Sequence, residues 1–320
     1  MNNLSKDSVA WLEVGEDAAG QRIDNFLRAI AKGVPKSHIY RILRSGEVRV
    51  NKGRVGADYR LVAGDRIRVP PLRTAQRTDA APVPPREFAV AFEDEALVVV
   101  DKPAGVAVHG GSGVSFGIVE QLRAARPQAK RLELAHRLDR ETSGLLILAK
   151  KRAPLAALHD QFRDGKVAKR YLALVRGRWP NPLQHLRQPL YKYLLPDGER
   201  RVRVDAEGKA AHSIVRRIST WQNFSLVEVE LKTGRTHQIR VHLAHAGYPI
   251  AGDDKYGDFT LNRELQRVGL KRMFLHAAKL RFPHPVSGEE ISLESPLPPE
   301  LADFLGQLDA HEGRADAAAI

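Results

Sequence analysis

The sequence predicts an α+β protein in which a small α/β domain precedes a larger domain with a mixed, mainly antiparallel sheet. Its length of 320 residues exceeds what one hydrophobic core usually organises. Helical patterns come first, whereas strand patterns dominate from residue 87 onward. Hydrophobic residues make up 43% and charged residues 28% of the chain, a balance typical of a folded protein with a substantial core.

The first domain is predicted to contain two short helices backed by short strands. Two groups of apolar residues recur at helical spacing, separated by a break at Pro35. They are Ile23, Phe26, Leu27 and Ile30 in the first group, and Ile39, Ile42 and Leu43 in the second. Strand patterns at 47–50 and 66–69 follow, and the first ends at a turn over 51–53.

Positive charge is concentrated in this first domain. Residues 21–73 hold 13 Lys and Arg against 4 Asp and Glu, so they carry +9 of the net charge of +13. A helix pair with a basic face can hold the phosphates of structured RNA. We therefore expect Arg22, Lys36, Arg41 and Arg44 to bind RNA, the alternative being a solvated charged face.

Apolar runs predict the elements of the larger domain. Strands are expected at 96–100, 145–148 and 224–231, and helices at 153–164 and about 236–246. The basic run at 200–203 is interpreted as a loop, either solvated or in contact with RNA backbone.

Two segments without an apolar pattern suggest the domain boundaries. Residues 74–86 contain three prolines and few large apolar side chains, as an exposed linker would. The last residues are expected to fray or to form a marginal helix. The predicted organisation is an RNA-binding domain at 1–73, a linker at 74–86, a larger domain at 87–306 and a tail at 307–320.

The absence of cysteine excludes several chemistries. Without thiols there are no disulfides, no cysteine nucleophile and no cysteine-ligated zinc or iron–sulfur cluster. The first twenty residues lack the apolar core of a secretion signal, and no later run reaches the roughly 18 apolar residues of a membrane span. We expect a cytoplasmic monomer that does not bind membranes.

The polar stretch at 136–144 is the strongest candidate for a catalytic loop. It runs directly into the apolar strand at 145–148, and catalytic groups commonly lie on loops held by rigid strands. Asp139 stands between Arg137 and Arg140, and nearby positive charge favours the carboxylate anion that a nucleophile requires. Alternatively, Asp139 caps a turn or forms a structural ion pair.

This stretch, HRLDRETSG, resembles the central motif of the RluA-like family of pseudouridine synthases. Three further motifs agree in order, namely VVVDKPAGVAVHGG, KRYLALVRG and GRTHQIRVHLAHAGYPIAGDDKYG, and the segment 21–70 resembles the S-four-type RNA-binding domain. Together they cover nearly the whole chain. The resemblance implies a pseudouridine synthase fold and isomerisation of specific uridines in large-subunit (23S) ribosomal RNA, with no cofactor and no metal.

The resemblance also implies roles for individual residues. Asp139 is the expected nucleophile, and Arg240 would pair with it. Tyr171 would stack on the target base and assist proton removal. The target base must leave its stack, and Arg137 would fill the gap. The alternatives are a core aromatic for Tyr171, a phosphate or surface charge for Arg240, a phosphate contact for Arg137, and either an RNA contact or a structural hydrogen bond for His136.

Two other functions remain open at this point. A metal-dependent hydrolase would use the polar residues near the C-terminal motif, although their spacing matches no common zinc signature. These residues are His237, His242, His245, Asp253 and Asp254. A non-catalytic RNA-binding protein would need only the basic first domain, and would have no use for a buried carboxylate.

Overall fold

A computed structural model describes residues 4, 7–15, 18–31, 33–72, 82–110, 116–129 and 131–313. The chain forms two compact units, Met1–Pro82 and Val83–Ile320. Most of the expected linker at 74–86 lies outside the described residues.

The first unit packs two helices against a three-stranded antiparallel sheet of order β1-β3-β2. Its elements are β1 (Ala10–Glu13), α1 (Ile23–Ile30), α2 (Lys36–Arg44), β2 (Arg49–Val50) and β3 (Arg66–Val69). Leu27, Ile42 and Ile67 are fully buried between helices and sheet. Both helices and the strands β2 and β3 lie where the apolar spacing predicted them, whereas β1 was not anticipated.

The second unit is built on a ten-stranded sheet with helices packed around it. Its elements are β4 (Val90–Glu93), β5 (Leu97–Lys102), α3 (Ile118–Ala125), β6 (Glu133–Leu134), β7 (Ser143–Ala149), α4 (Arg152–Arg163), β8 (Ala168–Arg176), β9 (Leu183–Leu186), β10 (Leu190–Leu194), β11 (Arg200–Val204), β12 (Ser213–Thr220), β13 (Phe224–Leu231), α5 (Gln238–His245), α6 (Phe259–Arg267), β14 (Leu275–Pro283), β15 (Glu290–Glu294) and α7 (Pro299–Glu312).

The main sheet has the strand order β4-β5-β7-β14-β8-β13-β12-β9, with β6 paired to β7 and β15 paired to β14. Among the described pairings, β7 with β14 is parallel and the others are antiparallel. The α+β class with a mixed, mainly antiparallel sheet is thereby confirmed. No described helix is long and apolar enough to cross a membrane.

Two segments of the second unit differ from the sequence-based expectation. The basic run at 200–203 is not a loop, because it forms strand β11 and pairs with β10 in a separate two-stranded sheet. Helix α7 continues past residue 306 through Glu312, because Leu308 packs into the core beside Phe304. Asp309 also accepts a hydrogen bond from the Trp221 indole, so this part of the expected tail is anchored.

Candidate active site

A cavity of about 350 Å³ opens in the second unit where the loop before β7, the strand β8 and the start of α5 meet. It contains all three residues expected to be catalytic, together with Arg137. Its lining consists of Ala135, His136, Arg137, Leu138, Asp139, Thr142, Phe162, Arg163, Lys169, Tyr171, Leu231, Gly234, Arg235, Thr236, His237, Gln238, Ile239, Arg240 and Leu275.

Asp139 lies in the loop that enters β7. Its backbone carbonyl accepts a hydrogen bond from the Thr142 amide at 3.2 Å, which closes a turn and fixes the loop. The carboxylate is one-fifth exposed at 20%. Arg240 Nη1 donates to Oδ2 at 3.4 Å, and His237 Nε2 lies 3.9 Å from Oδ1. The carboxylate is therefore held from one side and open to the cavity.

Arg240 is buried in helix α5 and makes its strongest bonds to a different carboxylate. Its Nε and Nη2 donate to the two oxygens of Asp253 at 2.7 Å and 2.6 Å, a bidentate pair. A third bond reaches Asp254 at 3.1 Å. The expected pairing of Arg240 with Asp139 is present, but it is the longest of these contacts.

Asp253 is the fixed anchor of this network. Burial alone would raise the pKa of its carboxyl, but the bonds from Arg240 hold that pKa below its ordinary value. The backbone amides of Lys255 and Tyr256 also donate to Oδ1, at 2.8 Å and 3.0 Å. Sequence reasoning named Asp253 only as a candidate metal ligand of the alternative hydrolase and not as a partner of Arg240. The motif GDDKYG contained it, but only the fold brings it to Arg240.

His237 was likewise named only for the alternative hydrolase, and sequence reasoning did not place it beside Asp139. It stands at the N-cap of α5 with a φ of 52°, a left-handed conformation that costs a non-glycine residue of order 1–3 kcal/mol. Its Nδ1 lies 2.8 Å from the hydroxyl of Tyr256, and this contact orients Nε2 towards Asp139.

Tyr171 lies on β8 opposite Val229 of β13 and is 6% exposed. Burial raises the pKa of its phenol, and the charge of Asp139 raises it further. The ring is therefore neutral at physiological pH. Tyr171 belongs to the core cluster, as the alternative of a core aromatic predicts, and it also lines the cavity, as a residue that stacks on the target base would.

The two residues that begin the HRLD motif lie in different surroundings. His136 Nε2 accepts a hydrogen bond from the Ile147 amide at 3.1 Å, as the structural alternative for this histidine predicted. Burial lowers its pKa to about 3, so the ring is neutral. Arg137 is exposed at the cavity and makes no hydrogen bond or ion pair within the described part of the chain.

The four residues expected to bind RNA in the first unit lie on or beside α2. Lys36, Arg41 and Arg44 are exposed on the helix itself. Arg41 pairs with Glu47 at 3.1 Å. Arg22 donates two bonds to the buried Asp24, at 3.1 Å and 2.9 Å, so its charge is largely compensated inside the protein.

No group of three or more histidine or acidic side chains suited to a metal ion is present in the ranges that the structure describes. Asp253 is engaged by Arg240. The ring nitrogens of His242 contact the Ser213 hydroxyl and the Gln188 carbonyl, both at 2.9 Å. Four of the five residues invoked for a metal-dependent hydrolase are thus committed to other contacts, namely His237, His242, Asp253 and Asp254.

Comparison with known proteins shows the family of this chain. A sequence profile described as RNA pseudouridylate synthase matches residues 96–245, and an S4 domain profile matches residues 21–67. The chain is 51% identical to ribosomal large subunit pseudouridine synthase C of Pasteurella multocida (strain Pm70), over 94% of each chain. The chain belongs to the pseudouridine synthase family. It is therefore an isomerase, and the prediction of an enzyme is confirmed.

Further relatives agree with this assignment of the synthase. Ribosomal large subunit pseudouridine synthase C of Escherichia coli (strain K12) is 50% identical, over 94% of this chain and 97% of its own. The solved structure of human RNA pseudouridylate synthase domain containing 4 is 28% identical, with a TM-score of 0.59, covering 72% of this chain and 95% of its own. Human RNA pseudouridylate synthase domain containing 1 is 26% identical with a TM-score of 0.59, covering 73% and 91%.

Proposed function

We propose that this synthase converts specific uridines of 23S ribosomal RNA into pseudouridine, as a cytoplasmic monomer that needs neither cofactor nor metal. The observation that carries the proposal is the Asp139 carboxylate, which faces a cavity while Arg240 holds it from behind. The substrate follows from the names of relatives that are about half identical over nearly the full length. The S4 domain match and the basic face of α2 suit a structured RNA.

Asp139 is the proposed catalytic nucleophile. It acts at the ribose of the target uridine, either by attack on the anomeric carbon or by supporting the departure of uracil. The bond between that carbon and N1 breaks, uracil turns within the cavity, and a new bond forms between the anomeric carbon and carbon 5. On the route by direct attack, this last step also breaks the bond between Asp139 and the anomeric carbon. The proton on carbon 5 leaves and N1 gains one, so that nothing is consumed. Arg240 keeps the carboxylate oriented throughout.

Tyr171 is proposed to stack on the uracil and to help remove the proton from carbon 5. Its position in the cavity wall suits stacking. Because the raised pKa keeps the phenol protonated, Tyr171 can take up that proton only while it passes its own proton on. Tyr171 therefore works as a relay and not as a stored phenolate.

Arg137 is proposed to occupy the space that the target base leaves in the RNA. A cavity enclosed by protein can receive the base only after it has left its stack, which costs a few kcal/mol. The exposed guanidinium of Arg137 stands beside the cavity and is planar, so it can stack where the base had been.

The test compares wild-type protein with Asp139→Asn on unmodified 23S rRNA. Pseudouridine is mapped by carbodiimide labelling and primer extension, and RNA affinity is measured by filter binding. We expect discrete stops with the wild-type enzyme, loss of these stops in the variant, and a dissociation constant within about threefold of wild type, since RNA affinity comes mainly from cationic contacts to phosphates, which a carboxylate does not make.

The result distinguishes the parts of the proposal. If the variant still forms pseudouridine at the wild-type rate, Asp139 is not the nucleophile. If neither protein modifies free or ribosome-bound 23S rRNA while a different RNA class is modified, the proposed substrate is wrong and the role of Asp139 is tested on that other RNA.

A further inference from the structure

Lys169 shares the wall of the cavity with Tyr171. The two residues are two positions apart on β8, so their side chains leave the strand on the same face. The ammonium group lies 5.0 Å from the centre of the Phe162 ring. A Cβ at Gly234 would lie 3.5 Å from Nζ, so the glycine leaves this side of the ammonium group uncovered.

The charge of Lys169 has no counterion among the residues that the structure describes. Within the described ranges, Nζ makes no hydrogen bond and no ion pair, and burial lowers the pKa of the side chain to about 8. Lys102, which is fully buried, behaves differently, because its Nζ donates to three backbone carbonyls, those of Pro103, Val106 and Arg140. Lys102 is a structural clamp, whereas Lys169 presents an uncompensated cation to the cavity.

In the part of the chain that the structure describes, the other residues that line the cavity offer Lys169 no free negative charge. Among the described residues that line the cavity, Asp139 is the one acid, and its contacts are to Arg240 and His237. His136, beside Lys169, is neutral. A partly desolvated ammonium group is compensated best by a full negative charge, which uracil lacks and a backbone phosphate supplies.

We propose that Lys169 binds a phosphate group next to the target uridine and so holds the extruded nucleotide in the cavity. This assignment rests on the proposed function, because it requires an RNA nucleotide in the site. Lysine is a common phosphate ligand that acts as a point charge. Lys169 is thus a binding residue for the backbone, distinct in role from Asp139 and Tyr171.

The experiment combines protein variants with neutral phosphates in the RNA. An rRNA transcript that contains a uridine modified by the wild-type enzyme is assembled by splinted ligation, with a methylphosphonate on either the 5′ or the 3′ side of that uridine. Lys169→Gln removes the charge and Lys169→Arg keeps it. Lys166→Gln is the matched control, because Lys166 is 60% exposed and pairs with Asp164. Single-turnover rates against enzyme concentration give the half-saturating concentration and the maximal rate.

On native RNA, Lys169→Gln is expected to raise the half-saturating concentration roughly tenfold or more, the size of one lost charged hydrogen bond. The maximal rate should change by less than about threefold. At one of the two positions, the methylphosphonate should raise the half-saturating concentration of the wild-type enzyme by a similar factor. At the same position it should not raise the half-saturating concentration of Lys169→Gln above the value on native RNA. Lys169→Arg and Lys166→Gln should stay close to wild type.

Three outcomes overturn the assignment. Both methylphosphonates could leave the half-saturating concentration of the wild-type enzyme unchanged, a result that can be obtained without any variant. The effects of Lys169→Gln and of the methylphosphonate on the half-saturating concentration could multiply at both positions, as the effects of independent contacts do. Lys169→Gln could lower the maximal rate and shift its pH profile at an unchanged half-saturating concentration, which would indicate proton transfer. If the wild-type enzyme modifies no uridine of 23S rRNA, the proposed function fails first and Lys169 with it.

Discussion

Arg240 is held by carboxylates in very different environments. The Asp253 side chain is 1% exposed, whereas that of Asp254 is 64% exposed, although both accept hydrogen bonds from the same guanidinium. Removing one member of a buried ion pair leaves an uncompensated charge, whereas an exposed pair contributes little. The buried bidentate bond thus fixes the plane of the guanidinium, and this leaves Nη1 free to reach Asp139.

The two aspartates should therefore respond differently to the same substitution. Asp253→Asn is expected to lower the free energy of unfolding by about 3 kcal/mol, and Asp254→Asn by less than about 1 kcal/mol. Urea unfolding followed by circular dichroism measures both. Equal losses in the two variants would show that burial does not decide the strength of these pairs.

The residues of the site were predictable to different degrees. Asp139, Tyr171 and Arg240 stand in recognisable motifs, and the structure places all three in one cavity. The partnership between Arg240 and Asp253 was not predictable, because the two are thirteen positions apart and meet only where the chain turns after α5. The two readings of His136 could be separated only by the position of the Ile147 amide, which depends on how the loop folds over β7.

At the scale of elements, the loop that carries Asp139 is positioned by the start of β7. Gly144 pairs there with Ala277 of β14, in the parallel pairing of the sheet, and has a φ of 110°. A Cβ at this position would lie 2.7 Å from the Ala277 nitrogen and closer still to its carbonyl oxygen. Only glycine allows this approach, and it comes five residues after Asp139.

Gly144→Ala is expected to destabilise the protein by about 3 kcal/mol, because backbone overpacking adds to the cost of the left-handed conformation. Gly165→Ala is the control. Gly165 has a φ of 71° and open space around it, so only the conformational cost of about 1 kcal/mol applies. Thermal unfolding compares the two. A loss at Gly144 no larger than that at Gly165 would contradict the close-approach argument.

Elements with strong local patterns were predictable, and elements defined by long-range pairing were not. Helices α1, α2, α4 and α5 and strands β5, β7 and β13 lie within a few residues of the predicted positions. Strand β11 resembled a loop because Val202 is its one buried apolar residue, and its structure depends on pairing with β10. Helix α7 did carry a signal, since Leu301, Phe304 and Leu308 follow helical spacing, but the polar residues beyond obscured it.

At the scale of the whole molecule, the basic face of α2 and the proposed nucleophile Asp139 belong to different units of the chain. Residues 21–73 of the first unit carry a net charge of +9, whereas the cavity with Asp139 belongs to the second unit. The structure also ranks the expected RNA contacts of the first unit. Arg22 and Arg41 each have an acidic partner, whereas Lys36 and Arg44 have none within the described part of that unit. Composition predicted the basic face, but not which of its charges are free for phosphates.

The combined substitution of Lys36 and Arg44 by glutamine should therefore weaken RNA binding through electrostatics alone. Each phosphate contact contributes roughly 0.7–0.9 to the slope of log affinity against log salt, so the slope should fall by about 1.5. The maximal single-turnover rate should be unchanged, because the proposed nucleophile Asp139 lies in the second unit. Glutamine at Lys151 and Lys166, exposed lysines that pair with Glu95 and Asp164, is the control.

Binding titrations at several potassium chloride concentrations measure the slope. A slope equal to that of the control would mean that the exposed face of α2 does not contact the RNA, and that the affinity comes from charges elsewhere in the chain.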